Sequence, residues 1–284
     1  MRMLLTILVL APLAGCAAAG RTSPPPQEAA YARTPGDTLR YTWKTQLYDP
    51  DGPVGQWDSV SARRSRVLAI AFTGGDTARA WIESLQLETT GEDAHVDTAG
   101  PDVVGLPFVL RVGPLGSDSV LAAPQFPEEW SGSRGVFNRF FPRLPGGPLR
   151  PGRSWSESKT ADVSDSLWIG EFTRDVSYRV VGSSTLHGAR VVVVAFDLEE
   201  TTRNRRREDG AQLPANLPFR PTLVQTQTNE EHGRFYFAPR TGRLLRVTRE
   251  GIETLEVPSF TSAEAAVRED RYRSTLELVV DARR

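Results

Sequence analysis

From residue 37 onward, polar and apolar side chains alternate over short runs, the period of half-buried β-strands. Leu39, Tyr41 and Trp43 alternate with Arg40, Thr42 and Lys44. The same pattern predicts strands over 60–72 and 77–89, flanking Thr73-Gly74-Gly75-Asp76, whose paired glycines supply the positive φ of a tight hairpin. Stretches 103–112 and 119–122 bracket a turn at Gly113-Pro114-Leu115-Gly116. Beyond Pro151, 167–181 and 189–203 predict a long hairpin turning near His187-Gly188. Runs at 223–228, 233–237, 243–248, 252–257 and 272–280 complete the set, with Pro239-Arg-Thr-Gly242 as a further turn. The fold class that follows is mainly β: one antiparallel, strongly curved sheet or half-open barrel, with one or two short helices.

The alternation fails over 124–151, where Pro and Gly recur around Ser133-Arg-Gly-Val-Phe-Asn-Arg-Phe-Phe141. Ser133 is placed to cap a short helix that Pro142 stops. Its Phe137, Phe140 and Phe141, at i, i+3 and i+4, would share one face. Such a helix either plugs one end of the β core or acts as a lid over a hydrophobic cavity. A second helical turn or two is expected within 262–270, where Ala263, Ala265 and Ala266 cluster. The β domain therefore spans 37–284, with halves at 37–123 and 151–284 joined by the Pro/Gly-rich helical segment.

The start of the chain carries different information. Arg2 precedes an apolar run over 4–11, too short to span a bilayer but ordered like the n- and h-regions of a secretory signal. Leu13-Ala14-Gly15-Cys16 follows, and Cys16 is the single cysteine of the chain. This resembles the lipobox of bacterial lipoproteins, in which the thiol is lipidated and the chain is cut before the cysteine. An ordinary signal peptide cut near Ala17-Ala18-Ala19 is the alternative. The lipobox implies a signal peptide over 1–15, a lipid anchor on Cys16 and a Pro-rich linker over 16–36. Each buried methylene of an acyl chain adds about 0.8 kcal/mol, so several chains make membrane residence effectively permanent. Ala17 after the cysteine, by resemblance to enterobacterial sorting, implies an outer-membrane lipoprotein of the cell envelope facing the periplasm. With its only thiol lipidated, the domain would be held without disulfides.

Composition narrows the chemistry. Net charge is −1, which gives no basic face for nucleic acid. Of 34 basic residues only Lys44 and Lys159 are lysines, a bias that fits GC-rich codon usage. Asp49-Pro-Asp-Gly-Pro53 begins like a calcium loop, but Pro53 stands where an oxygen ligand is wanted and no Glu closes the loop. His95, His187 and His232 lie far apart, and neither HExxH nor Gly-x-Ser-x-Gly occurs. Glu230-Glu231-His232 reads as a solvated strand end whose first and third residues face the same way. The arginine run from Arg203 reads as a solvated loop. No catalytic residue, metal ligand or cofactor is expected. The aromatics Trp43, Trp81 and Trp168, with Phe137, Phe140 and Phe141, are the candidates to line or cover an apolar ligand.

The stretches Pro151-Gly152-Arg153-Ser154-Trp155, Tyr178-Arg-Val-Val-Gly182 and Gly233-Arg-Phe-Tyr-Phe-Ala-Pro-Arg-Thr-Gly242 share a syntax of Gly turns and aromatic strands. It resembles that of uncharacterised bacterial lipoproteins near the LolA/LolB/LppX type of lipoprotein and lipid carriers. The resemblance implies a curved, half-open antiparallel barrel with short helices at its mouth, binding a lipid or other apolar ligand without catalysis. A structural or assembly role is the alternative, with a solid interior and an envelope protein as partner. Replacing the lipidated thiol, Cys16→Ser, should release the protein from the membrane fraction or leave it unprocessed. Fractionation showing the variant sorted like the wild type would refute the lipobox.

Overall fold

A computed structural model describes residues 28–48, 60–91, 94–116, 118–133, 135–164, 168–206, 224–257 and 266–279. Leu13, Ala14, Gly15 and Cys16, the Asp49–Pro53 turn and residues 207–223 lie outside them, while the arginine run expected as a solvated loop from Arg203 is, as far as Arg206, the end of a strand that pairs on both sides. The described chain is nearly all strand. β1 (Thr38–Tyr48), β2 (Val60–Gly74), β3 (Thr77–Thr89), β4 (Val96–Thr98), β5 (Phe108–Val112) and β6 (Asp118–Ala122) form the first half. β7 (Ser154–Asp162), β8 (Trp168–Leu186), β9 (Ala189–Arg206), β10 (Val224–Ala238), β11 (Arg243–Val257) and β12 (Ala266–Leu278) form the second. All belong to one antiparallel sheet in the order β6-β5-β3-β2-β1-β12-β11-β10-β9-β8-β7, with β4 paired to β3. The two halves join where β1 pairs with β12, so they are one sheet.

The sheet is curled. From β5 to β7 it takes nine inter-strand steps, about 43 Å along a flat sheet at roughly 4.8 Å each. Yet two successive residues bridge those ends. The Leu144 amide donates to Leu115 O, just past β5, at 2.7 Å, and Arg143 O accepts from Trp155 Nε1 of β7 at 3.0 Å. The edge strands β6 and β7 do not pair with each other, so the curl stops short of a closed barrel.

The bridging residues belong to a strap, 123–153, that crosses the concave face. Phe126, Val136, Phe137, Phe140, Phe141 and Leu144 are all buried in it. Phe137 packs edge-on to Phe108 of β5, Phe140 to Tyr41 of β1, and Phe141 to Tyr31. Facing them across the sheet are Leu39, Leu68, Ile70, Phe72, Val194, Phe235, Phe237 and Leu244. Arg153 fixes the far end of the strap by donating to the carbonyls of Pro148, Gly146 and Pro145. Four turns, at Gly74–Gly75, Gly113–Gly116, His187–Gly188 and Pro239–Gly242, lie at this same end of the sheet. Gly116 has φ +86°, and a Cβ there would sit 2.4 Å from Pro142 O and 2.6 Å from the Tyr31 ring, so the site requires glycine.

Three expectations need correction. The strap is not the capped helix predicted over 133–141. A short 3-10 stretch, Glu128–Ser133, gives way to turns, and Arg139 has φ +57°, which no α-helix accommodates. The three Phe are buried as the pattern required, but through separate contacts and not as one helical face. Residues 266–270, expected to be helical, open β12, because their backbone pairs with β11. The linker does not run to residue 36 either. Ala29 and Tyr31 are buried, and the amides of Ala29, Tyr31 and Ala32 donate to Gly147 O, Pro114 O and Gly242 O. Tyr31 also donates its hydroxyl to Pro142 O at 2.7 Å.

Cutting the aromatic cluster by Phe140→Ala should cost about 3–5 kcal/mol of stability. Chemical denaturation checks it, and a loss below about 1 kcal/mol would mean that the strap is not part of the core.

Candidate functional site

Side chains alternate along each strand, so every second residue of every strand faces the concave side. At the turn end these residues are apolar. One or two positions further along, they become charged or polar on strand after strand. Tyr178 and Val176 of β8 give way to Arg174. On β9, Phe196 and Leu198 give way to Glu200. Phe235 of β10 is followed on this face by Gly233, Glu231 and Asn229, and Val247 of β11 by Arg249. On the first half, Tyr41 gives way to Trp43 and Leu68 to Arg66. The concave face thus has an apolar zone filled by the strap and a charged zone beyond it.

A cavity of about 250 Å³ lies where the two zones meet the strap. That is close to the lower end of ordinary small-molecule pockets, about 300 Å³. Phe141, Val176, Phe196, Leu198 and Val247 supply its apolar lining. The rest holds five cationic side chains, Arg139, Arg143, Lys159, Arg174 and Arg249, against two carboxylates, Glu157 and Glu231.

The charges are linked. Glu200 Oε2 lies 3.4 Å from Arg139 Nη1, and its other oxygen 4.0 Å from Arg174. Glu231, only 5% exposed, faces Arg249 at 3.8 Å and accepts a 2.8 Å hydrogen bond from the Tyr272 hydroxyl. Burial and then the Glu231 charge push the Tyr272 phenol well above its usual range, so it remains a donor. Burial works against the Arg139 charge, but Glu231 and Glu200 outweigh it and raise its pKa. Gly251 makes room for this arrangement, since a Cβ there would lie 2.7 Å from the Tyr272 ring. The network still leaves donors over. Trp43 Nε1, Arg66 Nε, Arg139 Nη1, Arg174 Nε and Arg249 Nε are buried without a hydrogen-bond partner among the described residues.

The aromatic candidates separate against this geometry. Phe141 lines the cavity, whereas Phe137 and Phe140 are packed inside the plug and do not reach it. Trp43 faces the charged zone, with the guanidiniums of Arg66 and Arg249 at 5.1 and 5.5 Å from its ring centre. Trp81 lies between Ala80 and Ile82, both fully buried on the concave side, so it faces the convex side and cannot line the interior. Trp168 opens β8, and its side chain is outside the described residues. Glu230 and His232 do face one way, outward, with His232 3.8 Å from Glu250. Glu231 between them faces in, so this stretch is continuous strand and not a solvated strand end. His187 pairs with Glu277 and His95 with Asp97. Among the described residues, no group of three His, Cys, Asp or Glu is placed to hold a metal ion. None of the inward arginines was singled out from the sequence. The signal was present as a charged residue in phase with the buried positions of its own strand.

The fold and the site define an all-β protein whose single curled sheet is plugged at one end and charged inside at the other. No protein-family model and no curated protein sequence matches the chain.

Glu200→Gln would leave two guanidiniums without their shared carboxylate. Because the pair is partly exposed, the cost should be about 2 kcal/mol, below that of a fully dry pair. Urea denaturation tests this, and an unchanged midpoint would mean that the pairs are too loose to matter.

Proposed function

We propose that this chain is a lipid-anchored protein of the bacterial cell envelope that holds one amphiphilic ligand non-enzymatically on the concave face of its sheet. The observation that carries the reading is the cavity with a mixed apolar and cationic lining. An acyl chain or other apolar group suits Phe141, Val176, Phe196, Leu198 and Val247, and a polar group suits the arginines beside them. The small volume suits part of a ligand, with the remainder running out along the charged zone. The lipobox at Cys16 supports the envelope address and a periplasmic face of the outer membrane. The likeness in turn and strand syntax to LolA/LolB/LppX-type carriers supports lipid or lipoprotein binding.

A second reading is favoured by a specific feature. The turn end is packed solid by Phe137 and Phe140, as a structural protein docking onto an envelope partner would have it. The two readings differ in whether anything occupies the cavity. Native mass spectrometry of the full chain, extracted from membranes in a nonionic detergent, should show a stoichiometric lipid-sized adduct recoverable by solvent extraction. A clean apo mass across several gentle detergents would reject the carrier reading and favour the docking one.

A further inference from the structure

We propose that Arg66 of β2 and Arg249 of β11, with the Trp43 indole of β1, form an oxyanion subsite on the concave face that takes the phosphate-class head group of the ligand. This rests on the reading of the concave face as an amphiphile site and adds the ligand's charge.

The argument starts from Arg66. Its residue is 6% exposed, yet among the described residues no carboxylate pairs with it. Its cross-strand neighbours are Trp43 on one side and Leu85 on the other. Those of Arg64, the next inward residue of β2, are Thr45 and Leu87. Neither arginine is therefore neutralised by the strands beside it. Burial, and then the Arg64 charge, push the Arg66 guanidinium down to about 9, which leaves it cationic at neutral pH. Removing a cation from water without a partner carries a heavy penalty, and a fixed buried charge is normally met by an anion. The Trp43 ring offsets part of that penalty through its π face.

The second arginine arrives from two strands away. Arg249 is buried, lies against the same Trp43 ring, and has Glu231 at 3.8 Å. That carboxylate also accepts from Tyr272, so its charge is already shared. Against the Trp43 ring there are then two guanidiniums to one carboxylate. Three buried donors face this shortage: Arg66 Nε, Arg249 Nε and Trp43 Nε1 all lack hydrogen-bond partners among the described residues. Arg249 also donates its Nη2 to Arg139 O at 3.5 Å, so the Arg66 fork, the Arg249 Nε and the indole N–H are the donors that suit a tetrahedral oxyanion, which accepts several hydrogen bonds at once. The patch shares Arg249 with the cavity wall, so a head group here and an apolar chain against Phe141 and Val247 can belong to one molecule.

The full chain in nonionic detergent tests this. Phosphatidylglycerol and diacylglycerol, which differ by the anionic phosphoglycerol group, are added in equal amounts and adducts are counted by native mass spectrometry. Inorganic phosphate is tested separately, by the shift in Tm at constant ionic strength. The wild type should retain phosphatidylglycerol at least tenfold better than diacylglycerol. Arg66→Met should abolish that preference and fold at least as stably as the wild type, while Arg66→Lys should keep part of it. Trp43→Phe, which keeps a ring and removes the N–H, should weaken the preference several-fold. Equal retention of both lipids by wild type and Arg66→Met would overturn the oxyanion subsite and leave the amphiphile reading standing. A phosphate-dependent rise in Tm that Arg66→Met removes, with no lipid retained, would support the subsite as one for a free anion and overturn the amphiphile reading. Loss of fold in Arg66→Met and Arg66→Lys alike, with no response of the wild type to phosphate or lipid, would make Arg66 structural and overturn the proposal.

Discussion

The structure depends on one short crossing. A meander of this width, left flat, would present two exposed edges and a broad apolar face to water. The strap removes the second problem by laying its own aromatic residues on that face. It fixes the curl by hydrogen-bonding the β5 end through Leu144 and the β7 end through Arg143. Curl and plug are therefore a single feature. Once Phe137, Phe140 and Phe141 are seated, the two ends of the sheet have no freedom to separate. Tyr31, bonded to Pro142 O and packed on Phe141 and Phe237, adds the N-terminal segment to the same junction.

Filling one end of the concave face determines what the other can do. The apolar residues near the turns are consumed by the core, so the interior left for a ligand begins where the strands turn charged. A wholly apolar ligand would find only part of the lining suitable there. The cavity's mixed lining and the surplus of guanidiniums both favour a molecule with an apolar part and a negative part. The strong division of the sheet, and not any single residue, gives the site its character.

The same division explains what the sequence could and could not reveal. The strands at the turn end were legible because alternation there is clean: Val60–Gly74, Thr77–Thr89 and the Pro239–Gly242 turn match their sequence-based ranges closely. The readings stopped short where inward residues become polar. β10 was divided at Asn229–His232, where Asn229 and Glu231 face in, and β11 at Arg249–Gly251, where Arg249 does. β12 was begun late, past inward Asp270. Hydropathy registers a strand through the water it excludes, so a strand facing a charged interior looks like a loop. The site was hidden in part for the same reason, since Arg249 lies at one of those apparent breaks, whereas Arg66 and Arg174 are single charges inside otherwise legible strands. The strap misled differently: its Phe spacing is helical, but the left-handed Arg139 opens the chain into turns, and the rings pack together without a helix.

The docked N-terminal segment also sets a direction. Ala29, Tyr31 and Ala32 attach at the turn end, and only thirteen Cα-to-Cα steps separate Ala29 from Cys16. Fully extended, these reach at most about 45 Å. A lipid on Cys16 would therefore tether the molecule by its plugged end, like a cup standing on its base, with the charged interior opening away from the leaflet that holds it. A ligand held on the concave face, as proposed, would then enter and leave on the side away from the anchoring leaflet.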